Sequence, residues 1–333
     1  MPILKNTLKS QGTKEILQKY GIVFVLILMI VGISIMEPAF LSKSNIFNVL
    51  THTAIYGIMA LGLTFVIISK GIDLSVGSVL ALSGVIAASL GQAADATGKY
   101  FPNMTEMPLI VPILGALAVG ALCGAISGAL IAKTHIPAFI ATLGMMTVAR
   151  GMALIYSDGR PVSTLIPSLT DLGGKIWGWL PIPVLIYFIT IVVSTILLNQ
   201  TRFGKSVYAI GGNIKAAEVS GVNVSRNLIA IYAYSGLLAG LAAVVFAGRV
   251  GSVHPGAATG YELTAIAATT IGGTSHSGGI GTIWGALVGA LVLSVMRNGM
   301  TLMGVDAYWQ QVTEGVIIVV AVIVDMRKNL KKD

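Results

Sequence analysis

Apolar residues along this chain run unbroken for about 20 positions at a time, with polar residues gathered between the runs rather than interleaved at strand or surface-helix spacing. A helix of that length crosses a hydrocarbon core about 30 Å thick at about 1.5 Å per residue. Lipid offers no partner to backbone N–H and C=O groups, so such runs must satisfy them internally, as helices. The pattern predicts an all-α polytopic membrane protein with about ten transmembrane helices, at residues 20–36, 46–68, 75–95, 108–132, 138–157, 182–199, 228–248, 259–272, 279–297 and 309–325. The eighth, ELTAIAATTIGG, is short enough to be broken or re-entrant. A single membrane domain, residues 20–326, is expected between an N-terminal segment, 1–19, and a basic tail, 327–333.

Composition agrees with the pattern. The 333 residues are 55% hydrophobic and only 10% charged, with a mean hydropathy of +0.87, against roughly 25% charged in soluble domains. The net charge of +8 raises nucleic acid as a partner, but the basic residues lie between the runs, where they set orientation. One set of alternate connections, including both termini and residues 200–227, holds 14 of the 21 Lys and Arg, among them Lys5, Lys70, Lys133, Arg202, Lys215 and Arg327. The other holds six: Lys43, Lys99, Arg160, Lys175, Arg249 and Arg297. The positive-inside rule therefore puts both termini and residues 200–227 in the cytoplasm. Trp177, Trp179 and Trp309 fall at outer boundaries, where an amphipathic ring is favoured.

Small residues mark close packing. Gly120, Gly124 and Gly128 recur every fourth position, as do Gly281, Gly285 and Gly289, and residues four apart share one helix face. These stripes are read as helix packing.

Catalytic chemistry is missing. The sequence lacks HExxH, GxSxG and GxxxxGK[ST], and His52, His135, His254 and His276 are scattered without metal-ligand spacing. Cys123 is the sole cysteine, which excludes an intrachain disulfide. No catalytic residue, metal or cofactor is assigned to this chain, and nucleotide-driven work would need a nucleotide on another subunit. IGGTSHSGGIGTIWG, residues 271–285, reads as a tight turn between two spans.

Polar residues among the apolar runs are the remaining candidates for a pathway or gate. Asp73 and Ser75, in SKGIDLSVGS, either cap the third span or line a polar path. Arg150 and Glu314 form either a structural pair or part of a polar cavity.

The segment AIGGNIKAAEVSGVNVSR, residues 209–226, has a different character. Asn213 can cap a helix of about two turns, residues 213–221, that Gly221 ends. A helix under roughly 12 residues is marginal alone in water, so this one must dock on something. YAIGGNIKAAEVSGVNV resembles the coupling loop of permease subunits in bacterial ABC importers for monosaccharides, the ribose, xylose, arabinose and galactose group. GIDLSVGSVLALSG, PAFIATLGMM, TRFGKSVYAIGGN and IGGTSHSGGIGTIWGALVGA are similar in placement, and FPNMTEMP and GVDAYWQQVTEGVIIV resemble the galactose and methyl-galactoside members.

The resemblance implies a permease of the bacterial inner membrane that translocates a monosaccharide and is not itself an enzyme. Two copies would pair with two ATPase subunits, which hold ATP and Mg, and with a periplasmic sugar-binding protein. It also implies an ATPase-coupling role for Gly211, Gly212, Asn213, Ala216, Ala217 and Gly221. Lys215 departs from the acidic residue expected before the paired alanines, and the later Ile-x-Leu-Pro is absent after Ile231. Arg160, Arg249 and Arg297 are candidate contacts for acidic lobes of the binding protein, or ordinary loop charges. The rival class is an ion-coupled secondary transporter using Asp73, Arg150 or Glu314.

Overall fold

The computed structural model describes residues 21–103 and 105–330, the side chains of residues 324 and 328–330 excepted. The N-terminal segment 1–19 and most of the basic tail 327–333 therefore lie outside the described residues or side chains. Among the described residues, ten helices correspond one to one with the ten predicted runs, and three short ones lie between them. They are α1 (Gly21–Met36), α2 (Lys43–Ile68), α3 (Val76–Leu90), α4 (Ile110–Thr134), α5 (Ala138–Ser157), α6 (Pro167–Thr170), α7 (Ile182–Gln200), α8 (Arg202–Gly212), α9 (Ile214–Val219), α10 (Val224–Val250), α11 (Tyr261–Ile271), α12 (Ile283–Leu302) and α13 (Ala307–Leu330). Seven of these are long and apolar enough to cross a membrane alone, whereas α1, α3 and α11 are shorter.

Helix α2 is the axis of the bundle, buried at every residue from Thr53 to Ser69. Helices α7, α10, α11 and α12 pack around it. The outermost helices carry apolar side chains outward, among them Phe139 and Ile155 on α5, Phe188 on α7 and Val316 on α13, as lipid-facing surfaces do.

The most extensive helix pair is α4 with α10. A Cβ on Gly120 would stand 2.2 Å from the Gly236 carbonyl oxygen, and one on Gly124 would stand 2.0 Å from that of Tyr232. Gly128 rests on the backbone of Ile229. Gly236 and Gly240 reciprocate, with Cβ positions 2.1 Å and 2.4 Å from the carbonyl oxygens of Gly120 and Ala116. Gly285 and Gly289 play the same part between α12 and α11, against Gly272 and Ala268. Gly281 does not belong to that stripe. Thr282 caps α12 by accepting from the Gly285 N–H at 3.0 Å, so the helix starts at Ile283 and Gly281 sits in the turn before it.

Two spans are interrupted. Helix α3 has 15 residues and α11 has 11, about 22 Å and about 16 Å of rise, short of a full crossing. Extended chain precedes α3, and its polar groups are met by side chains from neighbouring helices. Thr142 of α5 donates to the Ile72 carbonyl at 3.2 Å, and the Tyr232 hydroxyl approaches the same oxygen at 3.5 Å. Arg150 of α5 serves the chain before α11, donating to the carbonyls of Pro255 at 2.6 Å and Ala257 at 2.8 Å. Non-helical backbone survives within a membrane bundle only when enclosed and satisfied in this way.

The end of the bundle bearing α8, α9 and residues 272–282 is termed the near end. The far end carries two short ribbons. There β1 (Val162–Ser163) pairs antiparallel with β4 (Ser252–Val253), and β2 (Lys175–Ile176) with β3 (Leu180–Pro181). Trp177 and Trp179 stack on each other there, exposed.

Candidate functional site

The near end is assembled from three chain segments. Thr201 closes α7 by donating to the Leu197 carbonyl at 2.6 Å and opens α8 by accepting from the Gly204 N–H at 3.2 Å. Helix α8 buries Gly204, Val207, Ile210 and Gly211, a three-to-four spacing that lays one face on the bundle. Gly211 has no room for a side chain: a Cβ there would stand 1.7 Å from the Ile68 carbonyl oxygen and 2.6 Å from the Gly279 nitrogen. That Ile68 oxygen also accepts the Gly279 N–H at 2.8 Å, and the Tyr208 hydroxyl donates to the Gly281 carbonyl at 2.8 Å. The end of α2, the end of α8 and the glycine-rich turn 272–282 are thus locked together.

The turn is tied in its turn to the end of α13. The His276 N–H and the Ser275 hydroxyl each donate to Asp325 at 3.1 Å, and the His276 ring meets the Thr270 hydroxyl at 2.8 Å. Burial pushes the His276 imidazole below its ordinary pKa, with the Asp325 carboxylate opposing.

Helix α9 stands out from this base. Asn213, extended and exposed, accepts from the Ala216 N–H at 3.1 Å. At the other end the Val222 N–H reaches the Ala217 carbonyl at 3.0 Å and the Gly221 N–H that of Glu218 at 2.9 Å, with Gly221 at φ +84°. This paired closure needs a left-handed residue, which is why glycine stands there. The helix spans Ile214–Val219, slightly inside the expected 213–221. Ala217 is buried against the base, while Ala216, Gly212 and Gly221 are exposed. Val219 is 91% exposed and Ile214 45%, and α9 also exposes Lys215 and Glu218, with Arg202, Lys205 and Arg226 exposed on the flanking segments. Helix α9 is thus a short capped helix that presents bare apolar side chains, Val219 above all, to the outside of the bundle.

The other candidate residues fall elsewhere. Asp73 is 1% exposed; its Oδ1 accepts from the Ser75 N–H at 2.9 Å and hydroxyl at 2.6 Å, and its Oδ2 from Ser235 of α10 at 2.9 Å. Asp73 and Ser75 together set the turn into α3. Arg150 and Glu314 do not pair with each other. Glu314 is bound instead by Arg297 of α12, which also donates to the Tyr56 hydroxyl at 2.8 Å and to Thr264 at 3.2 Å. Arg297 thereby departs from the loop position expected for it: α12 continues to Leu302, and the guanidinium is turned into the bundle. Arg249 occupies the last turn of α10 and donates to Asn48 at 3.0 Å, leaving Arg160 as the most exposed of the three arginines. Tyr56, Thr264 and Ser235 went unmarked in the sequence, where a lone hydroxyl in an apolar run carries no spacing signal.

Breaking the Arg297–Glu314 pair from one side is expected to be costly. Glu314→Ala leaves Arg297 without its counter-charge, for which about 3 kcal/mol is expected at a partly buried site. Arg297→Met with Glu314→Leu should recover most of that loss, because no charge is then stranded. Thermal unfolding of the purified variants in detergent measures both.

Comparison with known proteins places these features in context. The family model described as "Branched-chain amino acid transport system / permease component" matches residues 45–322. The ribose import permease protein of Escherichia coli K12 is 41% identical over 325 residues, covering 95% of this chain and 96% of that protein. The ribose import permease protein of Bacillus subtilis 168 is 41% identical over 319 residues, 94% of each chain. The galactose/methyl galactoside import permease protein of E. coli K12 is 39% identical over 334 residues, 98% of this chain and 99% of that protein. No solved structure matches. With nearly the whole bundle and its near-end loops inside the matched region, the chain belongs to the permease-component family of the branched-chain amino acid transport system type.

Proposed function

We propose that this chain is the membrane permease of an ATP-driven importer that moves a monosaccharide, of the ribose or galactose kind, across the bacterial inner membrane. The observation that carries the reading is α9: a helix capped at both ends, seated on a three-segment base, with Val219 bare at its tip. The relatives' names support sugar over amino acid, since identity near 40% extends over almost the full length of proteins named for ribose and galactose import. The two sugars are represented at nearly equal identity, so identity alone does not separate them.

In this reading the near end faces the cytoplasm, as the count of basic residues implies, and both termini lie on that side. Two permease copies enclose the path, and an ATPase subunit engages each α9. ATP and Mg bind on those subunits, and a periplasmic sugar-binding protein delivers substrate to the far end. Gly211, Gly212, Asn213, Ala216, Ala217 and Gly221 form the coupling element. With Lys215 in place of an acid and Lys205 and Arg226 nearby, the complementary face of the ATPase is acidic. ATP-driven closure of the ATPase pair displaces α9, and the base carries that displacement to α2, α13 and residues 272–282. Exposed Arg160 is the arginine best placed to meet an acidic lobe of the binding protein. Asp73, Arg150 and Glu314 are each engaged by internal partners, which supports the ATP-driven reading over an ion-coupled one.

Vesicles reconstituted with the permease, its ATPase and its binding protein test the proposal. Uptake of labelled ribose or galactose should require internal-face ATP and survive collapse of the ion gradients. Uptake that persists without ATP and stops with the gradient, or uptake of leucine in place of sugar, overturns it.

A further inference from the structure

A second polar region lies at the far end of the bundle, between α2, α12 and α13. It is a cavity of about 230 Å³ lined in part by Asn48, His52, Tyr56, Arg297, Asn298 and Gln310. We propose that this cavity is a binding site on the permease itself for a neutral monosaccharide, a proposal that rests on the sugar-importer reading and adds a place for the sugar.

The argument comes from what each lining group has left to offer. The charge of Arg297 is met by Glu314, its Nη1 is spent on the Tyr56 oxygen, and the Tyr56 hydroxyl also meets Tyr261, so these groups are already engaged. Asn48 accepts from Arg249 through Oδ1, so its two amide hydrogens remain. Gln310 donates to Thr301 at 3.2 Å and to the Val305 carbonyl at 3.0 Å, so its carbonyl oxygen remains. His52 is exposed and has no hydrogen-bond partner among the described residues. Ser294, 4% exposed on the cavity wall, has a hydroxyl with no partner among them either. The cavity therefore presents a mixture of neutral donors and acceptors, with its cation already engaged.

Ligand classes separate on that inventory. Sugar hydroxyls each donate and accept, and a set of neutral, differently directed partners suits several of them at once. A carboxylate would find the wall cation, Arg297, already met by Glu314, and an amino acid would find no carboxylate among the lining residues for its ammonium group. The Arg249 guanidinium behind Asn48 makes gluconate the stringent competitor. The volume lies below the roughly 300–1,000 Å³ of sites for drug-sized ligands, in keeping with a small substrate.

A ligand that binds only the folded protein stabilises it by RT ln(1 + c/Kd) at free concentration c, so its melting temperature rises with ligand concentration. The test uses the full-length permease in lipid nanodiscs, titrated to high concentration with D-ribose, D-galactose, D-gluconate and L-leucine, without ATPase or binding protein. At least one of the two sugars should raise the melting temperature, with gluconate and leucine inert. Asn48→Leu and Gln310→Leu, each confirmed as monodisperse, should raise the sugar concentration needed for a given shift at least tenfold. The cavity proposal is overturned by the absence of any sugar-dependent shift, by equal shifts with gluconate or leucine, or by a sugar response unchanged in both variants. ATP-driven sugar uptake by the complete transporter, measured alongside, separates the two failures: uptake without a shift in the permease sinks the cavity site alone, and leucine uptake sinks the importer reading.

Discussion

Gly124→Leu is expected to leave no folded permease in the membrane. A Cβ at position 124 stands 2.0 Å from the Tyr232 carbonyl oxygen and 2.8 Å from its carbon, both backbone atoms that no rotamer change can move aside. The clash forces α4 away from α10 along the most extensive helix contact in the bundle. Overpacking a core by a few methylenes costs about 1–3 kcal/mol, and values above about 4 kcal/mol come from disruptions of this severity. Helix association in lipid has no hydrophobic drive to offset the separation, because lipid tails are as apolar as leucine. Expression with a fluorescent C-terminal fusion and size-exclusion chromatography gives the readout. A monodisperse Gly124→Leu peak at wild-type yield contradicts the packing described. Gly144→Leu is the matched control: it changes the same residue types on α5, where a Cβ meets nothing within 4 Å.

That contact also shows how much of the fold was legible in the sequence. The stripe Gly120, Gly124, Gly128 could be read on α4 because glycines at every fourth residue in an apolar run have one physical use. Its complement on α10, Gly236 and Gly240, has the same spacing but only two members, too few to mark a stripe by spacing. Gly281 was drawn into a stripe by spacing alone, since spacing cannot show that Thr282 caps a helix starting one residue later. All ten apolar runs became helices because hydropathy needs no tertiary information. The depth of residues 71–75 was not legible, because a polar stretch between two runs reads as an exposed loop whether it lies outside or is enclosed by Thr142, Tyr232 and Ser235.

The charged residues divide in the same way. Arg150 and Glu314 stand out because a charge in lipid needs a partner, but which partner depends on how helices are arranged around α2. Arg150 serves backbone carbonyls, and Glu314 meets Arg297, which the sequence pattern puts at the very end of its run, among the outer basic residues, whereas α12 continues to Leu302. At the near end the local motif was sufficient. Asn213, the paired alanines and Gly221 specify a capped helix through local bonds alone, so the sequence carried it almost to the residue.

Val219→Glu is expected to abolish ATP-driven uptake while leaving the permease folded. At 91% exposure the side chain makes almost no contact within the chain, so the substitution should shift stability by no more than about 0.5 kcal/mol. In the assembled transporter the same side chain would be buried against the ATPase, where a carboxylate loses its solvation and stands beside the exposed carboxylate of Glu218. An interface anchor lost in this way costs about 2 kcal/mol or more, roughly a 30-fold weakening of association. Co-purification of the ATPase with the tagged permease and ATP-dependent uptake should therefore fall together, with the melting temperature of the isolated permease unchanged. Val219→Ile, which keeps the apolar contact, should retain both activities. Wild-type uptake and co-purification in Val219→Glu would remove α9 as the coupling element, because no other residue of that helix offers the partner so large an unpartnered apolar surface. Loss of uptake with the ATPase still bound would instead show that the tip transmits the stroke rather than holds the partner, which the three-segment base under Gly211 would then have to receive through Ala217.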